Sequence, residues 1–313
     1  MVKNNINNVL VVGAGVMGHS ISQIFAIAGF SVRLVDVDKQ VLDHAMGLIE
    51  SGLNTFVEFG KIPEEEVPNI LSRITLSTDL SRMACDSDFI IEAVPEVPEI
   101  KKKVFLQLEE SCLAETVIAS NTSGLDIFSI VDAKRPERLV ITHFFAPAHI
   151  IPLVEVVPGA KTSPEVVSFT ADILKKVDKS PIILSEFVPS FIVNRIQSAI
   201  GPVVMEMLEN GWASPEDIDR AVKLSLGIRL PIVGVVQTAD FNGLDLVSQI
   251  FKSLGKEISF IEEKVKQGHF GVKTSKGIYD YGGRTESEIL RKRDMLFLKM
   301  MDYLKEINAF EPV

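Results

Sequence analysis

Val9-Leu10-Val11-Val12-Gly13-Ala14-Gly15-Val16-Met17-Gly18 is the stretch that decides the fold class of this chain. A short apolar run leads straight into glycines spaced G-x-G-x-x-G. An apolar helical pattern follows through Ile21, Ile24, Phe25 and Ala28, and Gly29 closes it. A second run, Val32-Arg33-Leu34-Val35, ends on Asp36. The glycines alone would be a weak signal, but strand, glycine turn, helix, second strand and terminal acid in that order make a dinucleotide-binding βαβ unit. Gly13 permits the tight turn, Gly15 lets the backbone approach a pyrophosphate, and Gly18 lets the helix pack on the strand. The helix start at Val16 and Met17 offers free N–H groups and positive partial charge to phosphates. Asp36, 18 residues beyond Gly18, would accept hydrogen bonds from an adenosine ribose and repel a 2′-phosphate. NAD is therefore expected rather than NADP, while FAD, which uses the same turn, stays open at this point.

Beyond Asp36 the chain keeps alternating strand-like and helical segments, the pattern of a parallel α/β sheet. Helices are expected over 39–59, from Pro63 onward with Glu64, Glu65 and Glu66 at the positive end, and over Pro98–Glu110. Strands are expected at Ile74–Ser77, Phe89–Val94, Val117–Ser120, Leu139–Phe145, Leu153–Val157 and Ile182–Leu184. Lys101, Lys102 and Lys103 read mainly as a solvated helical face. Past Pro189 the periodicity turns helical, over 192–210, 215–226, 243–267 and 286–307. The expected architecture is α/β, a Rossmann-type dinucleotide-binding domain over 1–185 followed by an all-helical domain over 186–313.

Composition sets the class. At 313 residues, 46% hydrophobic and 24% charged, the chain is long and apolar enough for two globular cores. A net charge of −10 argues against a nucleic-acid or anionic-membrane surface. Cys85 and Cys112 are the only cysteines and no Cys/His cluster has zinc spacing, so reduced thiols and no metal are expected. The polar start at Met1–Ile6 gives no signal peptide, no apolar run reaches transmembrane length, and a cytoplasmic location is expected.

Open α/β sheets bind ligands at the carboxyl ends of their strands, where Glu92, Ser123, His143 and Glu155 stand out. Of five histidines, His143 alone lies in a strand-like run, and Glu155 sits likewise in the next. Such a pair could take the hydroxyl proton of a secondary alcohol, the carboxylate fixing the imidazole tautomer. It could equally be a buried structural pair.

From Ile6 to Tyr281 the chain resembles the short-chain 3-hydroxyacyl-CoA dehydrogenases, including the 3-hydroxybutyryl-CoA dehydrogenases. The markers are the glycine turn, Ile91-Glu92-Ala93, Ala119-Ser120-Asn121-Thr122-Ser123, His143-Phe144-Phe145 and Leu153-Val154-Glu155-Val156. They continue through Phe191-Ile192-Val193-Asn194-Arg195, Ala213–Asp219 and Gly271-Val272-Lys273-Thr274. The resemblance implies that His143 is the catalytic acid/base with Glu155 as its partner, and that Ser123 and Asn194 contact the substrate. It places Asp36 and Glu92 in the NAD site, with Lys273 reaching it, and implies a homodimer. It also implies coenzyme A binding by the helical segment after the second strand, where Lys61 is the residue to test.

The chain departs from the family at four places. Ala146 and Val97 stand where asparagine is usual, and Ser190 and Ser275 where glycine is usual. Ile151–Glu155 and Asn194–Gln197 lean toward a sister group, the L-gulonate and L-carnitine dehydrogenases. The expected reaction is reversible, NAD-linked oxidation of an (S)-3-hydroxyacyl-CoA. The alternatives are oxidation of a free 3-hydroxy acid, or a non-catalytic NAD-binding protein.

Overall fold

In the computed structural model, residues 6–311 are described; the polar start at Met1–Asn5 lies outside them. The chain divides into two compact units between Ala199 and Ile200. The change of sequence character at Ser185–Ser190 falls just ahead of that point.

The first unit begins β1 (Asn8–Val12), α1 (Val16–Ile27), β2 (Ser31–Val35), α2 (Lys39–Glu58), α3 (Val67–Ser72) and β3 (Ile74–Ser77). It continues α4 (Leu80–Ala84), β4 (Phe89–Glu92), α5 (Pro98–Ser111), β5 (Val117–Ser120), α6 (Ile127–Ile130) and β6 (Leu139–Phe144). It closes with β7 (Leu153–Pro158), α7 (Pro164–Lys176) and β8 (Ser180–Ile183). The strands form one sheet in the order β3-β2-β1-β4-β5-β6-β7-β8. Every pairing is parallel except β6 with β7. Both faces are covered, which is why the inner strands read as continuous apolar runs. Val9, Val11, Leu34, Phe89 and Ile91 pack against one helical layer, while Leu10, Val12, Ile90, Ile118 and Ile141 pack against the other.

The strand order reverses between β1 and β4, and the glycine turn sits there. A Cβ on Gly13, whose φ is +99°, would lie 2.6 Å from the Ala93 carbonyl oxygen just past β4. A Cβ on Gly18 would lie 1.7 Å from the Gly13 carbonyl oxygen. Neither position admits a side chain, so the turn is locked between two strands and a helix.

The remaining helices are α8 (Val193–Glu209), which crosses the division, α9 (Pro215–Leu224), α10 (Leu226–Asn242), α11 (Leu244–Ser253), α12 (Ser259–Lys266) and α13 (Glu286–Glu306). In the second unit Val272, Tyr281 and Ile289 pack with Phe241 and Leu290. Buried Asp240 ties this region together, accepting from the N–H groups of Ile278 and Tyr279 at 2.8 and 2.9 Å and from the Tyr281 hydroxyl at 3.0 Å.

Several elements differ from expectation. α10 lies outside the expected helices, because Gly227, Pro231 and Gly234 interrupt its pattern; the helix bends at Gly234, where φ is 65°. The stretch 243–267 is two helices, separated around Gly255, whose φ of 70° ends a regular helix. The last strand begins at Ser180 and takes in Pro181, an edge position where a missing N–H costs no ladder bond. No single described helix is long and apolar enough to cross a membrane.

Candidate active site

The carboxyl ends of β1 and β2 present a cradle. Gly15 is exposed, and a Cβ built on it would have no atom within 4 Å. It is also the N-cap of α1, with no side chain capping the helix and no acid in its first turn. The first N–H groups, at Val16 and Met17, are left to an anion from outside. Asp36, half-buried at the end of β2, accepts from the Ala14 N–H at 2.8 Å, which holds the turn closed, and from the Asp38 N–H at 3.2 Å. Open space at Gly15, an uncapped helix start and a carboxylate at the tip of the second strand fit a diphosphate and an adenosine ribose.

Glu92, at the end of β4, is fully buried. Its carboxylate accepts from the Lys101 ammonium at 2.7 Å, the Ser120 hydroxyl at 2.5 Å and the Val94 N–H at 2.9 Å. Lys101 is 1% exposed and also pairs with Glu96 at 3.2 Å. Glu96 in turn accepts from the Thr122 hydroxyl and, at 2.9 Å, from the Ser123 N–H. Burial pushes the Glu96 carboxyl up, but Thr122, the Lys101 ammonium and the Ser123 N–H outweigh it and hold the group below the ordinary glutamate value. Two carboxylates and one ammonium thus fasten the Ser123 loop to the ends of β4 and β5. Glu96 carries no site signal in the sequence, and Lys101 is buried where a solvated face is expected. Lys101, Phe105 and Leu108 are the buried residues of α5, at i, i+4 and i+7. That spacing was the available signal for an inward lysine.

His143 and Glu155 face each other in the antiparallel register of β6 and β7. His143 Nδ1 lies 2.8 Å from a Glu155 carboxylate oxygen, with both side chains buried. The other oxygen of Glu155 accepts from the N–H groups of Ile192 and Val193, each at 3.0 Å, so the same carboxylate caps α8. Burial pushes the Glu155 carboxyl up. The His143 hydrogen bond and the two helix N–H groups outweigh it and hold it below the ordinary value. With Nδ1 donating to a carboxylate, Nε2 of a neutral imidazole carries the lone pair. The Asn194 amide nitrogen lies 3.5 Å from that Nε2 and 3.3 Å from the Ser123 carbonyl oxygen. Phe145 and Phe191 pack their rings 4.5 and 5.2 Å from the imidazole. The cluster sets an imidazole nitrogen that can accept a proton in an apolar wall, with an amide and the exposed Ser123 beside it.

The structure brings together His143, Glu155, Asn194 and Ser123, and separately Gly13, Gly15, Gly18 and Asp36. Lys273 belongs to the helical unit, where its ammonium pairs with Asp245 at 2.6 Å. Val97 is the N-cap of α5, with no side-chain hydrogen bond to the helix.

Residues 8–187 match the family model for the NAD binding domain of 3-hydroxyacyl-CoA dehydrogenase, and residues 191–281 match that for its C-terminal domain. The chain is 34% identical over 289 residues to a probable 3-hydroxybutyryl-CoA dehydrogenase of Bacillus subtilis, covering 90% of this chain and 99% of that one. It is 33% identical to the 3-hydroxyadipyl-CoA dehydrogenase of Escherichia coli over 91% of its own length, and spans 61% of the length of that protein. The crystal structure of a 3-hydroxyacyl-CoA dehydrogenase from Archaeoglobus fulgidus matches with a TM-score of 0.78 at 30% identity, over 96% of this chain and 99% of that one.

Proposed function

The chain belongs to the 3-hydroxyacyl-CoA dehydrogenase family, and on that premise we propose that it oxidises a short-chain (S)-3-hydroxyacyl-CoA to the 3-ketoacyl-CoA, reversibly, with NAD. The observation that carries the reading is the His143–Glu155 pair with Asn194 and Ser123 beside it.

Gly13, Gly15 and Gly18, the Val16 and Met17 N–H groups and Asp36 would hold NAD, and the family resemblance adds Glu92 and Lys273 to the residues that serve it. Bound NAD supplies the acceptor for the hydride that leaves C3. His143 Nε2 takes the C3 hydroxyl proton, and Glu155 stabilises the imidazolium through Nδ1. The Asn194 amide and the Ser123 hydroxyl hold the substrate oxygens and so set the geometry at C3. In the reverse direction the imidazolium returns its proton to the C3 oxygen.

Coenzyme A thioesters in the names of the relatives support an acyl-CoA over a free 3-hydroxy acid. Lys61 would serve the coenzyme A moiety. A homodimer, supported by the family resemblance, and the cytoplasmic location expected from the sequence complete the proposal. The test is NADH consumption with acetoacetyl-CoA, set beside NAD reduction with 3-hydroxybutyryl-CoA, gulonate and carnitine. Turnover of the thioesters alone is expected; turnover confined to the free acids would overturn the substrate, and turnover of none would overturn the activity.

A further inference from the structure

A line of aromatic rings leads through the first unit to the His143 imidazole. Ring centroids of Phe128 and Phe187 lie 6.4 Å apart, those of Phe187 and Phe191 6.0 Å, and those of Phe191 and His143 5.2 Å. The first two pairs meet edge to face, at 80° and 86°, an arrangement that fixes rings beyond the area they bury. The far end is fitted to the backbone. A Cβ on Gly159, just past β7, would come within 2.5 Å of the Phe128 ring.

Phe191 is the unusual member. It is fully buried, yet its φ is 51°, and that of Ser190 before it is 64°. Two left-handed residues in succession, one of them bulky, make a strained turn. The Phe191 N–H donates to the Val188 carbonyl oxygen at 3.0 Å, and the next two N–H groups, of Ile192 and Val193, reach the Glu155 carboxylate. One turn therefore brings a phenyl ring to one member of the His143–Glu155 pair and two donors to the other. The imidazole needs such support. Glu155 anchors it at Nδ1 alone, and the Asn194 amide is 3.5 Å from Nε2. The outer torsion of a histidine is broad, so a ring held at one corner can swing.

On the reading of His143 as proton acceptor, we propose that Phe191 is a positioning residue for the reaction. Propped by Phe187 and Phe128, its ring keeps the imidazole seated on Glu155, with Nε2 turned toward the C3 hydroxyl. Misplacing a reacting group by about 1 Å costs about 10²-fold in rate, so a small swing of the ring matters. The strained turn is retained because it makes both contacts at once.

The experiment compares the unsubstituted chain with Phe191→Leu, which keeps an apolar side chain without the ring, and with Phe187→Leu, which acts on His143 through Phe191. Nitrogen-15 spectra of the histidines report the imidazole tautomers, and His143→Gln identifies the His143 signals. Steady-state kinetics use (S)-3-hydroxybutyryl-CoA and NAD. A single Nδ1–H tautomer is expected in the unsubstituted chain and a mixture in Phe191→Leu, where kcat should fall about tenfold with KM for NAD held within about twofold. Phe187→Leu should move both readouts the same way, less far. Urea unfolding checks that the variants are folded; Phe187 is only half-buried, so that variant keeps the test valid if Phe191→Leu does not fold. Unchanged spectra or an unchanged kcat in Phe191→Leu overturns the proposal, and so does the same result in Phe187→Leu where Phe191→Leu is unfolded. The spectra need no substrate, so a tautomer mixture in Phe191→Leu of a chain that turns over no thioester would support the seating of the imidazole and overturn only the reaction.

Discussion

Glu155 holds two parts of the site in place with its two carboxylate oxygens, one on the His143 ring and one on the first N–H groups of α8. Pairing of His143 with Glu155 was legible from two polar residues in adjacent apolar strands. Capping of α8 was not, because it joins residues 37 and 38 positions apart through a chain path that no local pattern encodes. The serine departures from the family also acquire a physical meaning. Ser190 and Ser275 have φ of 64° and 56°, the left-handed region where glycine carries no Cβ penalty. The Ser275 hydroxyl is also buried without a hydrogen-bond partner. Removing a left-handed side chain gains about 1–2 kcal/mol, and the added freedom of an unfolded glycine offsets about 0.5–1 kcal/mol of it. Ser275→Gly should therefore raise the unfolding free energy by about 1 kcal/mol in urea titration. A loss of stability would contradict this reading of the backbone.

Among the elements, α5 shows how a helix can be read correctly in extent and wrongly in orientation. Its boundaries were plain from Pro98 and the apolar spacing, but three consecutive lysines drew attention to charge instead of to the face each occupies. Lys101 shares the face of Phe105 and Leu108 and lies against Glu92. Lys101→Met would leave Glu92 buried without its cation, and removing one partner of a buried pair costs about 3 kcal/mol. The urea midpoint should fall accordingly; an unchanged midpoint would mean that the ammonium contributes nothing there. At the start of the same helix, Val97 occupies the N-cap with a side chain that cannot accept a hydrogen bond. Val97→Asn should supply one and stabilise the protein by about 1 kcal/mol, read from the same titration. No gain would show that the α5 N–H groups are already satisfied.

Across the whole molecule, the α/β unit was more legible than the helical one. Strands buried on both faces announce themselves as apolar runs bounded by glycine and polar residues, and the parallel order follows from helices between them. The helical unit depends on a single periodicity, which Gly227, Pro231 and Gly234 interrupt in α10 and which gave no warning of the break between α11 and α12. Acid stability is a property of the whole fold, with a sign set by its depressed carboxyls. Glu155 and Glu96 titrate below their ordinary 4.5 when folded. Below 4.5 the unfolded chain binds more protons than the folded one, so the stability these groups contribute is complete above that pH and lost as pH falls through the folded values. Unfolding free energy should fall with pH in that window, less steeply in Glu155→Gln; a flat profile in the unsubstituted protein would contradict both assignments. The most direct measurement is the steady-state rate of NAD reduction with (S)-3-hydroxybutyryl-CoA, for the unsubstituted chain and for His143→Ala. If His143 takes the proton as proposed, its loss should lower the rate by about 10²–10⁴-fold. Equal rates in the two proteins would show that the proton leaves by another route.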